Sequence, residues 1–127
     1  MSRTDAARDA FAALPLDVRQ AVDAARDKLA VDLVVLDLRQ ADAFTDYFVI
    51  CSGLNSRQIK TIADAIEEAL RRLQIRTQHV EGYDRAEWVL LDYFDFVVHI
   101  FTRETRGFYA LERLWGRAEE IAVPAES

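Results

Sequence analysis

The groups able to do acid, base or nucleophilic chemistry are few. The 127 residues hold two histidines, His79 and His99, and one cysteine, Cys51. Neither histidine has a second His or Cys at a ligand spacing such as the i, i+4 pair of a zinc-binding helix, so each reads as a structural histidine hydrogen-bonded in or near a sheet. Cys51 closes the apolar segment YFVIC, where a buried thiol is inert and cannot pair within the chain. Ser52 and Ser56 lack the G-x-S-x-G context that exposes a serine nucleophile on a strand-to-helix turn. The segment CSGLNSRQ, Cys51 to Gln58, offers a glycine followed by a helix start whose amides could hold a phosphate. Phosphoryl transfer there would also need two carboxylates projecting together to hold magnesium, which on a strand means acids at i and i+2. His79 and Glu81 have that spacing, but only one is an acid. Asp92 and Asp95 stand three apart at a turn, where such residues serve as turn formers. The chain therefore reads as a non-enzyme, with no cofactor or metal expected.

The aromatic residues say more. Tyr83, Trp88, Tyr93, Phe94 and Tyr109 fall in or near loops, a hairpin tip or a helix start, beside the acids Glu81, Asp92 and Asp95. Exposed Trp and Tyr supply much of the binding energy at protein interfaces. Core packing is the competing account for each, evenly balanced for Trp88 and preferred for Trp115 on its helical stripe.

The elements that position these residues are read from periodicity. Residues 1–14, alanine-rich and charged, make a flexible arm. Val18, Val22, Ala25 and Leu29 recur at helical spacing between Pro15 and Ala30, leaving Arg19, Asp23, Arg26 and Asp27 to water. Two strands follow, Asp32 to Leu38 and Asp46 to Ser52, joined by a polar, turn-like Arg39 to Thr45; the second is apolar on both faces, as an inner strand is. Asn55 caps a helix carrying Ile59, Ile62, Ala63, Ile66, Leu70 and Leu73 on one stripe, with Gln58 completing a capping box. A short strand from Ile75 to Val80 leads to Gly82. The stretch EWVLLDYFDFVVHIF, Glu87 to Phe101, then forms two antiparallel strands turning at Tyr93 and Phe94. After a polar link from Thr102 to Arg106, a last helix is predicted from Gly107 to Ile121 through Phe108, Leu111, Leu114, Trp115 and Ala118. The fold class is α/β, a mixed five-stranded sheet with flanking helices in the order α-β-β-α-β-β-β-α. One domain spans residues 15–121, and residues 122–127 form a tail.

Sixteen basic against twenty-two acidic residues give a net charge of −6. That balance disfavours general or sequence-specific nucleic-acid binding and suits a basic partner. Apolar runs of four or five residues cannot span a bilayer, and the start MSRTDAARDA lacks the apolar core of a signal peptide, so a cytoplasmic protein with no membrane association is expected. An uncovered sheet edge allows a homodimer.

Three segments together carry a family resemblance: TDYFVICSGLNSRQIKTIADAIEEAL at Thr45 to Leu70, VEGYDRAEWVLLDYFDFVVHIF at Val80 to Phe101, and ETRGFYALERLWG at Glu104 to Gly116. In this order and spacing the chain resembles the ribosomal silencing factors, also called the Iojap-related family, over roughly Asp32 to Gly116. The closing pattern from Arg106 to Trp115 is the most specific part. One departure is visible: the family hairpin places glycine between its two acids, and this chain has Phe94, an added aromatic at the tip. The resemblance implies a nucleotidyltransferase-like fold without its catalytic acids. It also implies binding to the large ribosomal subunit through the small basic ribosomal protein numbered fourteen, which blocks joining of the small subunit and represses translation under nutrient limitation. An alternative is a role in large-subunit assembly; a more distant one is a nucleotidyltransferase-like enzyme binding nucleotide near Gly53 to Arg57. Carried onto this chain, Trp88 is the interface anchor, Asp92, Asp95 and Glu81 face basic side chains of the partner, and Tyr93 and Phe94 are rim or tip contacts.

Overall fold

Two amphipathic stripes and four apolar runs decide the architecture. In the computed structural model, which describes residues 3–41, 43–109 and 118–124, the elements run α1 (Arg3–Ala12), α2 (Leu16–Asp27), β1 (Val31–Asp37), β2 (Tyr47–Gly53), α3 (Ser56–Arg72), β3 (His79–Glu81), β4 (Trp88–Asp92), β5 (Phe96–Thr102), α4 (Arg103–Tyr109) and β6 (Glu119–Ala122). The strands form one mixed sheet in the order β3-β4-β5-β2-β1-β6. β2 and β5 are parallel, and every other neighbouring pair is antiparallel.

One face of the sheet lies under α2 and α3. Val18, Ala21, Val22 and Ala25 of α2 and Ile59, Ile62, Ala63, Ile66 and Leu70 of α3 pack there against Val35, Val49, Cys51, Val89, Leu91, Val98 and Ile100. Complete burial pushes the Cys51 thiol up to about 12, so it stays protonated and inert. The opposite face gathers Val34, Leu36, Phe48, Ile50, Val97 and Phe101. β2, central and apolar on both sides, is buried along its whole length. Helix α3 starts where Asn55 Oδ1 accepts the Gln58 N–H at 2.8 Å. The Gln58 side chain reaches back to the Leu54 N–H at 2.7 Å and donates to the carbonyls of Lys28 and Leu29 at 3.2 and 3.1 Å. The capping pair is thus displaced by one residue from the expected box, and it ties the end of α2 to the start of α3.

Several sequence expectations are corrected. The sheet has six strands, not five, because Glu119–Ala122 pairs with β1 with Ile121 opposite Val35. The last helix therefore does not run to Ile121. It also starts earlier than expected: α4 begins at Arg103, inside the stretch read as a polar link, because Thr102 Oγ1 accepts the Thr105 N–H at 3.1 Å and caps it. Leu111, Leu114 and Trp115 lie outside the described residues. Leu29 does not continue the α2 stripe; the helix stops at Asp27, and Leu29 is exposed with φ +64°. β3 is three residues long, starting four residues later than expected. Within residues 1–14, Arg3–Ala12 are helical, and Ala10 and Phe11 pack against the helix-side core.

Candidate partner-binding face

Register decides which of the singled-out residues share a surface. Directly opposed residues of neighbouring strands project to the same side of a sheet. His79 is opposite Asp92, Glu81 opposite Leu90, Leu90 opposite His99, and Trp88 opposite Phe101. Glu81, Trp88, Leu90 and Asp92 therefore share the face away from α2 and α3. Trp88, Leu90 and Asp92 are half-buried there, while His79 and Glu81 are exposed.

Trp88 is held rather than loose. Its Nε1–H donates to His99 Nδ1 at 3.1 Å, and its ring stacks on Phe101 with centroids 5.0 Å apart. His99 is 4% exposed and meets the Phe48 ring edge-on at 4.5 Å. Burial pushes its pKa down to about 4, so at neutral pH it is uncharged, with Nδ1 the acceptor and the proton on Nε2. Gly82 supports the same residue from behind: it has φ +78°, and a Cβ there would collide with the Trp88 carbonyl. Glu81 Oε1 lies 2.8 Å from His79 Nε2, an exposed pair at the sheet edge.

The hairpin tip divides the remaining candidates. Asp92 Oδ1 accepts the Phe94 N–H at 2.8 Å, so this acid helps to form the turn. Phe94 has φ +74°, the left-handed region that favours glycine, and is 77% exposed. Asp95 is exposed beside it. Tyr93, expected at the rim, turns the other way: it is 6% exposed and stacks on Phe96 with centroids 4.9 Å apart. Burial raises its hydroxyl pKa, with the charge of Glu67 adding to the effect. Of the other aromatics, Tyr83 is committed to α3 through its hydroxyl, 2.9 Å from Asp64 Oδ1, with the Lys60 ammonium 5.5 Å from the ring centroid. The Tyr109 side chain and Trp115 lie outside what is described.

The phosphate-loop reading finds two of its amides engaged. Leu54 and Gln58 N–H groups are taken by the displaced capping pair. A cavity of about 320 Å³ opens at the ends of parallel β2 and β5, lined by Gly53, Leu54, Glu87, Thr102, Arg103, Glu104 and Thr105. Among the described residues no group of three or more His, Cys, Asp or Glu is placed to hold a metal. Many of the basic side chains are in ion pairs, among them Arg39 with Asp37, Arg71 and Arg72 with Glu68, and Arg103 with Asp32.

Sequence reasoning missed three contributors: His99 as the orienter of Trp88, and Phe44 and Asp46 beside the hairpin tip. Phe44, inside a connection read only as polar, is 75% exposed. No local pattern marks it. Its place follows from the parallel pairing of β2 with β5, which sets the two strand starts side by side.

Comparisons with known proteins bear on the family and the fold. The model of the family described as "Ribosomal silencing factor during starvation" matches residues 12–127. The ribosomal silencing factor RsfS of Bacillus subtilis is 41% identical over 98 residues, which cover 77% of this chain and 83% of that protein. A mouse protein named for mitochondrial assembly of the ribosomal large subunit is 31% identical over 102 residues, 78% of this chain and 45% of the mouse protein. A crystal structure of a Chromobacterium violaceum protein superposes with a TM-score of 0.76 at 29% identity, covering 79% of this chain and 83% of that one.

Proposed function

The chain belongs to the family of ribosomal silencing factors, and from that premise we propose that it binds the large ribosomal subunit through ribosomal protein number fourteen and blocks joining of the small subunit. The observation that supports this reading best is the face built by Trp88 and Leu90 between Glu81 and Asp92, a half-buried apolar strip rimmed by acids. An oriented indole and an aliphatic neighbour suit an interface centre, and the carboxylates suit a basic protein's rim. The −6 charge raises the encounter rate with such a partner and repels exposed phosphate. The blocking is steric: a folded domain seated on one subunit occupies space the other needs, and no bond is made or broken.

Cosedimentation with purified large subunits tests this. The wild-type chain should pellet with large and not small subunits, Trp88→Ala should not, and Asp95→Lys should weaken binding while circular dichroism stays native. Full binding by Trp88→Ala moves the anchor elsewhere. Translation repression in the cytoplasm under nutrient limitation is part of the same proposal. A second reading, assembly of the large subunit, takes its support from the name of the mouse relative; polysome profiles set against precursor rRNA levels in a deletion strain separate the two. We also carry the nucleotidyltransferase-like ancestry as a proposal, with the cavity at the ends of β2 and β5 as the place a nucleotide would sit. Heat or turnover on mixing with nucleoside triphosphate and magnesium would favour an enzyme instead. Residues 15–121 are proposed as the binding domain, with the 1–14 arm, helical over Arg3–Ala12, and the 122–127 tail outside it. A chain trimmed to 15–121 should still bind, at lower stability, because the packing of Phe11 and the 2.7 Å bond from Arg26 to the Pro124 carbonyl are lost. Homodimerisation through an edge strand, β3 or β6, is open to sedimentation velocity.

A further inference from the structure

We infer that the domain carries a second anchor, the pair of projecting phenylalanines Phe44 and Phe94 among Asp46, Asp92 and Asp95, which enters an apolar recess in a basic protein surface of the large subunit. The partner's identity rests on the reading above; the anchor itself rests on the geometry of the sheet end where β2 and β5 begin.

Four observations carry it. Phe44 and Phe94 are 75% and 77% exposed, in connections that precede two buried strands. They are tied to one another's neighbourhood: Thr45 Oγ1 donates to the Phe94 carbonyl at 2.9 Å, and the Asp46 N–H donates to the Asp95 carbonyl at 3.0 Å. Adjacent strands therefore hold both phenylalanines, and little conformational freedom is lost when a partner closes on them. Next, Phe94 sits at φ +74°, where a bulky side chain is an outlier and glycine would be relaxed. Its ring has no contact with another ring or cation among the described residues, so the fold gains nothing visible from keeping a phenyl group in a strained position. Finally, Asp46, Asp92 and Asp95 form no ion pair among the described residues, while nearby Arg39 is committed to Asp37 and lies over the Tyr47 ring.

Unpaired carboxylates around two exposed rings repel a phosphate backbone and complement lysine and arginine around an apolar recess. Five residues of β5 separate the level of Trp88 from that of the tip, roughly 17 Å of strand. Two anchors at that spacing fit within one interface of ordinary size, about 800 Å² on each partner.

The test is a binding titration of the full chain against purified large subunits, paired with thermal melts. Phe94→Gly should bind about tenfold more weakly yet melt higher, by roughly 3–5 °C, because the left-handed strain is relieved. A residue with a purely structural role would not move the two readouts in opposite directions. Phe44→Ala should weaken binding several-fold, and Asp46→Asn with Asp95→Asn should lower affinity and flatten its salt dependence. A photo-crosslinking phenylalanine analogue at position 94 should capture a basic ribosomal protein; capture of rRNA overturns the assignment. A Phe44→Ala, Phe94→Gly chain that binds as tightly as wild type removes the second anchor and leaves the large-subunit reading standing. A wild-type chain that fails to bind at all removes both.

Discussion

On the face beneath α2 and α3, Val89, Leu91, Val98 and Ile100 are fully buried; one residue along in β4, Trp88, Leu90 and Asp92 are half open to solvent. Val89 and Leu91 come from the same strand as the second set and differ from it only in parity. On the covered face every group is apolar and its neighbours are helix side chains, so its stabilisation comes from area removed from water. The opposite face, half open at β4, adds to its buried cluster of Val34, Leu36, Phe48, Ile50, Val97 and Phe101 a neutral histidine, an indole bonded to it and acids at the margin. The histidine, indole and acids contribute little to folding that an aliphatic core would not. On the function proposed above they form a surface kept ready for a partner, with Trp88 held by His99 and Gly82 so that less freedom would be lost on docking.

The contrast predicts a separation of effects. Breaking the covered face should cost stability and leave affinity per folded molecule unchanged. Ile62→Ala, at a completely buried position of α3, should lower unfolding free energy by about 3 kcal/mol, measured by urea titration, while large-subunit affinity corrected for folded fraction stays the same.

Acid should act on the open face. An ordinary histidine titrates near 6.5 and buried His99 near 4, so between those values the unfolded chain binds the extra proton. The stability this group contributes is full above about pH 6.5 and is lost as pH falls toward 4, reaching a loss of about 2 kcal/mol at pH 5. His99→Gln, which keeps an acceptor for the Trp88 indole, should flatten that dependence between pH 7 and 5 in thermal melts. A slope unchanged in the variant would place the titrating group elsewhere.

Gly82→Ala joins the two kinds of effect. A methyl group against the Trp88 carbonyl at φ +78° should cost about 1–2 kcal/mol and also weaken large-subunit binding, because β4 must shift under the anchor. The smallest effect is expected at Asn55. Removing its cap in Asn55→Ala should cost about 1 kcal/mol with binding unchanged, since the bond it loses is on the α3 side of the molecule.

Much of the frame was readable from local pattern. Helices α2 and α3, the inner strand β2 and the β4–β5 hairpin all follow from spacing that repeats over many residues, and Trp88 and the acids stood out by type. β6 was not readable: in EEIA only Ile121 is buried, and one apolar residue carries no period. Helical spacing upstream was extended across it. The burial of Tyr93 could have been found, because Asp92 on the open face implies that the next residue turns to the helix side. Phe94 at the hairpin tip was legible by type and position, and the family resemblance added that glycine is usual there.

Composition and periodicity by themselves determined an acidic α/β domain with a hairpin and an aromatic residue before it, because burial of apolar stripes depends on neighbours within a few residues. Tertiary structure alone decided that Trp88 bonds to His99 and that Thr45, next to Phe44, bonds to the Phe94 carbonyl. Those placements come from hydrogen-bond register between strands far apart in the chain, a nonlocal choice that no window of sequence contains.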